Sequence, residues 1–281
     1  MHCLLTALGS YGDVYPMIGL GAAMRGRGHD VTVVTNPHFA DDVTAAGLGL
    51  ATVADAEDYD RLTRTPGLWS PTRGLDIVFR EGALGILDEL YELIERLHRP
   101  GETIITAHGL DLASRVAAET LGVPVASIVY APMAMWSDES PPRVPAGIAS
   151  PKSPRWLHRL QFKAGEWLLI NRTVMPTLEA FRAKHGLASL RDSYWEWYYG
   201  VAPPIALFPN WFVDPSGEVP CDWPAGTVTT GFPLGDDAGG RGETLASDVE
   251  AFLDAGSDDP RQRPIVFTPG SAMRQGERFF A

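Results

Sequence analysis

The chain is 281 residues long and carries 23 Lys and Arg against 35 Asp and Glu, a net charge of −12; such a field repels phosphate backbones and argues against nucleic acid as a general partner. Hydrophobic residues make up 45% and charged residues 21%, which excludes a disordered or fibrous chain and leaves a globular one with room for one large domain or two. Cys3 and Cys221 are the two cysteines, too few for a disulfide framework or a zinc ribbon and in keeping with a reducing cytoplasm; nothing reads as a signal peptide or as the roughly 20 apolar residues of a membrane span.

Cys3 to Leu8 is a mostly apolar run ended by Gly9-Ser-Tyr-Gly-Asp13, the pattern of a strand buried on both faces and its turn. A helix is predicted next, with Pro16 in its first turn and Gly26 and Gly28 at its end. Asp30 to Thr35, rich in β-branched residues, reads as a second strand. Phe39 to Ala46 follows as a helix stopped by Gly47, then Leu48 to Val53 as a third strand and Ile77 to His98 as one long helix. Ile104 to Thr106, Leu110 to Leu121 and Val123 to Tyr130 complete the series as strand, helix and strand. Strands alternating with helices predict an α/β fold, a Rossmann-like doubly wound parallel sheet.

The texture changes after Tyr130. Six prolines between Ala131 and Pro154 exclude a regular helix or central strand there. Helical patterns resume over Trp156 to Arg172 and Leu178 to Gly186, and Ile205 to Phe208 and Thr227 to Thr230 read as further strands. The Gly-rich, acidic stretch 231–263 reads as an interdomain linker with a short helix at Val249 to Leu253, and Pro264 to Thr268 as the first strand of a second α/β domain.

In open α/β sheets ligands bind beyond the carboxyl ends of the strands. The loop after the first strand offers Gly9, Ser10, Gly12 and Asp13, and Asp13 could act as a general base or cap the helix. The loop after the fourth strand offers His108 and Asp111, which face Asp13 if the first and fourth strands are neighbours; a surface histidine and a second cap are the alternatives. A dinucleotide site lacks its GxGxxG, Gly19 and Gly21 lying inside the helix as packing residues, and there is no phosphate loop, nucleophile elbow or HExxH metal motif. Between Ser150 and Arg172, Lys152, Arg155, Arg159, Lys163 and Arg172 stand against Glu166 alone, interleaved with Trp156, Leu160, Phe162 and Trp167. That composition suits either a helix resting on an anionic membrane or an ordinary amphipathic helix. Tyr194 to Tyr199 is an aromatic cluster for an acceptor pocket or for core packing.

Taken in order, Leu8-Gly-Ser-Tyr-Gly-Asp-Val-Tyr-Pro16, Arg27 to Val33 with Asn36-Pro-His-Phe39, Leu68 to Pro71, Leu207-Phe-Pro-Asn-Trp-Phe212, Asp222-Trp-Pro224, Thr230-Gly-Phe-Pro-Leu234 and Pro264 to Ser271 resemble the N-terminal half of GT-B glycosyltransferases. The resemblance is to the family-28 and UDP-glycosyltransferase-like group that includes sterol and antibiotic-aglycone enzymes, and is nearest to the rhamnosyltransferases of rhamnolipid synthesis. It implies inverting transfer of a sugar from a nucleotide-diphosphate donor to a hydroxyl of a lipid or other hydrophobic acceptor, without a metal or other cofactor. Asp13 matches the family's base, in Gly12-Asp-Val-Tyr-Pro16 where many relatives have Gly-His-x-x-Pro. Gly9, Ser10, Gly12, His108, Asp111 and Trp136 are the accompanying acceptor-binding candidates, and Gly270 and Ser271 match the first loop of the donor domain. The division implied is 1–230 for the acceptor, 231–263 as linker and 264–281 as the start of the donor domain. The family's His-Gly-Gly donor stretch does not occur before Ala281, so these 281 residues alone are expected to be inactive. The alternative is a non-catalytic module for a hydrophobic ligand or partner, with contact at the inner face of a membrane open to either; a GT-B sugar epimerase shares the architecture but not this run of motifs.

Overall fold

The computed structural model describes residues 1–70, 72–141, 150, 152–191, 194–214, 216–233, 245–255, 264–265 and 267. Seven parallel strands form one sheet: β1 (His2–Ala7), β2 (Asp30–Thr35), β3 (Gly49–Thr52), β4 (Thr103–Ala107), β5 (Val125–Val129), β6 (Pro204–Ala206) and β7 (Val228–Thr229). Their order is β3-β2-β1-β4-β5-β6-β7, with Leu4 of β1 opposite Thr32 on one side and Ile105 on the other. All six residues of β1 are buried, as expected of a parallel strand covered on both faces. Its side chains alternate: Cys3, Leu5 and Ala7 pack with Val31, Val33, Met17 and Ile18, whereas Leu4 packs with Val34, Leu90, Ile105 and Val116.

The helices are α1 (Tyr11–Gly26), α2 (Ala40–Ala45), α3 (Ala56–Arg64), α4 (Gly74–Ile77), α5 (Leu87–Leu97), α6 (Ala113–Leu121), α7 (Arg155–Gly165), α8 (Met175–Lys184), α9 (Tyr194–Gly200) and α10 (Ser247–Ala255). Buried residues of α1 and α2 share one core cluster with one face of β1 and β2, and those of α5, α6, α8 and α9 share the cluster on the opposite face. The chain therefore leaves β1 toward one face and β4 toward the other. In open sheets of this kind the place for a ligand is the crevice beyond the carboxyl ends of the strands where the order reverses, here β1 and β4.

Several expectations need correction. Pro16 lies inside α1 rather than in its first turn, because the helix starts at the cap formed by Ser10 and Asp13 and not at the proline. The long helix expected over 77–98 is broken: α4 passes into a wider, π-helical stretch over Val78–Leu84, and α5 begins afresh at Leu87. Gly82 and Gly85 weaken that segment. A second π-helical stretch, Glu166–Val174, joins α7 to α8, and the two widened segments pack together. Helix α3, which the apolar periodicity did not announce, buries only Tyr59. Among its described residues the Pro-rich stretch holds one short helical turn, Pro132–Ala134, and a turn in which the Ser153 N–H donates to the Ser150 carbonyl at 2.8 Å. Most of the acidic segment 231–263, the strand over 264–268 (Pro264, Ile265 and Phe267 apart) and Gly270 and Ser271 fall outside the described residues.

Gly21 does lie where α1 meets the sheet: a Cβ there would sit 2.9 Å from Leu48 Cδ1 and 3.3 Å from Leu5 and Val31. Gly21→Leu should therefore destabilise the fold by about 1–3 kcal/mol through overpacking, whereas Gly26→Ala, with open space around the position, should not; chemical denaturation of the two variants checks the difference.

Candidate functional site

The loop after β1 is shaped by two residues. Gly9 has φ +128°, and a Cβ on it would lie 2.3 Å from Asp13 Oδ2, so a side chain at this position is excluded both by backbone conformation and by space. Ser10 is extended and precedes the first helical residue. Asp13, in the third helical position, reaches back so that its Oδ2 accepts from the Ser10 N–H at 2.7 Å and from Ser10 Oγ at 3.1 Å. This carboxylate capping satisfies an N–H group that the helix itself leaves unpaired.

The other oxygen of Asp13 is turned elsewhere. Oδ1 lies 3.4 Å from Nε2 of His108, on the loop after β4. The His108 N–H donates to Thr6 Oγ1 at 3.0 Å, and the Leu110 N–H donates to His108 Nδ1 at 3.1 Å. An Nδ1 that accepts carries no proton, so the N–H of the His108 ring is on Nε2, aimed at Asp13. The imidazole is nearly buried, with 7% of its side chain exposed, while the Asp13 side chain keeps 32%. Of the pair, the carboxylate is the group that can meet a solute.

Behind His108 stands a buried polar set. Thr6 Oγ1 donates to Asp111 Oδ2 at 2.7 Å, and Asp111 Oδ1 accepts from the Ser114 N–H at 2.8 Å. Ser114 Oγ also donates to Asp111 Oδ2. Arg115, wholly buried, donates to the Asp111 carbonyl, to Ser127 Oγ and to the Tyr198 carbonyl, and its guanidinium lies 3.6 Å from the centre of the Tyr198 ring. The Tyr198 hydroxyl in turn donates to the Gly109 carbonyl at 2.6 Å. From the end of β5, Tyr130 donates its hydroxyl to the Asp13 carbonyl at 2.9 Å and lays its ring 5.5 Å from that of His108. Burial, and after it the charge of Asp13, push the Tyr130 hydroxyl well above its usual range.

Burial opposes the charged form of Asp13, but the hydrogen bond and charge interaction with His108 and the two bonds from Ser10 outweigh it and hold the carboxyl below its ordinary range. Asp13 is therefore an anion throughout the neutral range.

Gly9, Ser10, Asp13 and His108 thus come together beyond the ends of β1 and β4, with Gly12 beside Ser10 in the first turn of α1. Asp111 does not join them: its side chain is fully buried and committed to Thr6 and Ser114, so the structure corrects the expectation of an acceptor contact to that of a cap holding the loop. Trp136 lies farther along the loop after β5, with Nε1 donating to Asp138 at 3.0 Å and its ring 4.6 Å from Phe162. Of the aromatic cluster, Tyr194, Trp197 and Tyr198 are core residues. An apolar recess of about 570 Å³, lined by Leu20, Met24, Ile128, Ile205 and Phe232 among others, shares no residue with this crevice and has no titratable side chain in its wall. Sequence reading missed Thr6, Arg115 and Tyr130. The first two had a signal, a polar residue inside an apolar strand and an arginine inside the apolar run Leu112-Ala-Ser-Arg-Val-Ala117.

No protein-family model matches the chain. It is 28% identical to an O-mycaminosyltylonolide 6-deoxyallosyltransferase of Streptomyces fradiae over 96% of this chain and 61% of that protein. It is 26% identical to a 4'-demethylrebeccamycin synthase of Lentzea aerocolonigenes over 86% and 63%, and 31% identical to an L-demethylnoviosyl transferase of Streptomyces niveus over 44% and 33%. In fold it is similar to the crystal structure of the calicheamicin glycosyltransferase CalG4, at a TM-score of 0.54 and 19% identity, over 82% of this chain and 52% of that one. The chain thus has the Rossmann-like fold of a GT-B domain and is related in sequence to glycosyltransferases, spanning about three fifths of the length of those it matches over most of its own.

Because Asp13 has a lowered folded pKa, its contribution to stability is complete above the unfolded value of about 3.9 and is lost as pH falls through the folded one. Asp13→Asn should cost about 1–2 kcal/mol at neutral pH and should flatten the acid slope of Tm against pH. Thermal unfolding of both proteins between neutral and strongly acid pH measures this.

Proposed function

We propose that this chain carries the acceptor domain of an inverting glycosyltransferase and that Asp13 is its general base. The observation that carries the reading is the division of the Asp13 carboxylate: one oxygen caps α1, and the other faces His108 at the mouth of the strand-reversal crevice. With its own proton directed at Asp13, His108 has no lone pair free for a substrate, so proton acceptance falls to the carboxylate.

In the reaction, Asp13 takes the proton of the acceptor hydroxyl as that oxygen attacks the anomeric carbon from the face opposite the leaving group. The bond from that carbon to the diphosphate breaks, and its electron pair leaves with the diphosphate. A carboxylate of lowered pKa is a weak base toward a free hydroxyl; transfer becomes favourable as the new C–O bond forms and the hydroxyl grows acidic. His108 is a positioning residue, keeping Oδ1 charged and aimed. Gly9 and Gly12 let the acceptor approach the backbone, with Ser10 and Trp136 as further contacts. The leaving charge is assigned to backbone N–H groups and a helix N-terminus rather than to a metal.

The donor, a nucleotide-diphosphate sugar, is assigned to residues from 264 onward, with Gly270 and Ser271 near its phosphates, and 231–263 as the linker from the acceptor domain over 1–230. The acceptor is a hydrophobic molecule with a free hydroxyl. The relatives' names support an antibiotic aglycone, and the motif resemblance to rhamnolipid enzymes supports a lipid.

In active transferase, Asp13→Asn should lower kcat by roughly 10²-fold or more with an unchanged circular dichroism spectrum; a near wild-type rate would remove the base role. His108→Phe deletes a group that stabilises the anion, so the acid limb of the rate against pH should move to higher pH, an effect that loss of packing alone would not produce.

A further inference from the structure

The outer face of α7 and of the π-helical stretch after it, Glu166–Val174, is unusually apolar for an exposed surface. Trp156 and Trp167 are 65% and 57% exposed, and Leu160 and Leu168 are also more than half exposed. Trp156, Leu160, Lys163 and Trp167 fall on one stripe at helical spacing. The stripe is not a helix turned the wrong way, because the other side is anchored. His158 is buried with its Nδ1 3.2 Å from the Asp138 carbonyl and its Nε2 3.0 Å from the Ser150 carbonyl. Ile170, Thr173 and Val174 are buried farther on, and Thr173 donates to Asp76. A monomeric protein rarely exposes so many large apolar side chains together unless something covers them.

The charges around the stripe indicate what does. Arg155, Arg159 and Lys163 pair with Glu139, Asp138 and Glu166. The basic side chains are 63–72% exposed, while the acidic partners are 11–31% exposed. The acids lie beneath and the cations project. Lys152 and Arg172 add two more exposed positive charges, the latter 5.5 Å from the Trp167 ring. In a chain of net charge −12, this face is cationic, with a tryptophan toward each end of the stripe.

We propose that this face docks on an anionic lipid bilayer. Trp and Leu side chains enter the boundary between headgroups and acyl chains, and the projecting Lys and Arg heads meet lipid phosphates. No helix among the described residues is long and apolar enough to cross a membrane, so the contact lies in the plane of the surface. The rest of the molecule is repelled by the same lipids, which makes attachment local, reversible and sensitive to salt. The inference is independent of the transferase reading, since it concerns none of the residues assigned to the reaction.

The test is co-sedimentation of the chain with large vesicles of phosphatidylcholine alone or mixed with phosphatidylglycerol, with tryptophan emission followed in parallel. Binding should be confined to the mixed vesicles, shift the emission to the blue and fall as salt is raised. Trp156→Ser combined with Trp167→Ser should weaken it at least about tenfold, and Lys152→Gln combined with Lys163→Gln roughly tenfold. All four residues are exposed, so Tm should hold in both variants. The proposal is overturned by no binding to the mixed vesicles, by equal binding to neutral ones, or by variants that bind like the parent. Concentration-dependent dimerisation lost in the double tryptophan variant, without lipid binding, would assign the face to a second copy of the chain instead.

Discussion

The site depends on one buried hydroxyl. Thr6 lies on the central strand β1, where its Oγ1 accepts from the His108 N–H and donates to Asp111. One side chain thereby joins the strand that launches α1 to the loop that follows β4. Polar groups removed from water are costly unless paired, and here each pairing is also a positional constraint. Asp111 is held by Thr6 and Ser114, and its carbonyl by Arg115. Arg115 reaches on to β5 and α9 through Ser127 and Tyr198. A polar network of this kind, with its members mutually satisfied, favours one arrangement of the loop. It lets His108 present Nε2 to the crevice while its other nitrogen is occupied.

Asp13 shows how a helix start and a reactive group can share a side chain. Capping alone needs one carboxylate oxygen. The second is directed by the geometry of the first, since a carboxylate held at 2.7 Å from the Ser10 N–H has little freedom to turn. The absence of a Cβ at Gly9 makes room for this arrangement, and Tyr130 fixes the Asp13 carbonyl from the neighbouring strand end. The lowered pKa of Asp13 follows from the same contacts, with burial opposing them. Capping and proton acceptance are therefore compatible readings, because they use different oxygens.

The cationic aromatic face belongs to the part of the chain where strand and helix cease to alternate. After β5 the chain passes through its Pro-rich stretch into α7 and returns to the sheet only at β6. The second π-helical segment, Glu166–Val174, carries the far end of this face and packs against the first, Val78–Leu84. The long excursion allows one chain to carry both a site at the ends of interior strands and an outward surface of opposite charge to the whole.

The sequence by itself determined the doubly wound sheet. Parallel strands buried on both faces must be apolar runs, and Cys3 to Leu8, Asp30 to Thr35 and Val123 to Tyr130 are such runs separated by helical periodicity and glycine stops. It also indicated loop one and loop four as the places for chemistry, because the ends of β1 and β4 are where a doubly wound sheet opens. Tertiary structure alone decided what each residue does there. No local pattern tells whether Asp111 faces a cleft or the core, or that His108 turns Nε2 toward Asp13. Those outcomes depend on partners up to about a hundred residues away in sequence, such as Thr6 for His108 and Asp111. The same holds for the outward face of α7: composition marked it as amphipathic and basic, but only the folded chain showed its tryptophans uncovered and its acids beneath its cations. Periodicity records which side of an element is apolar, whereas the neighbours that meet that side are set by the packing of the whole chain.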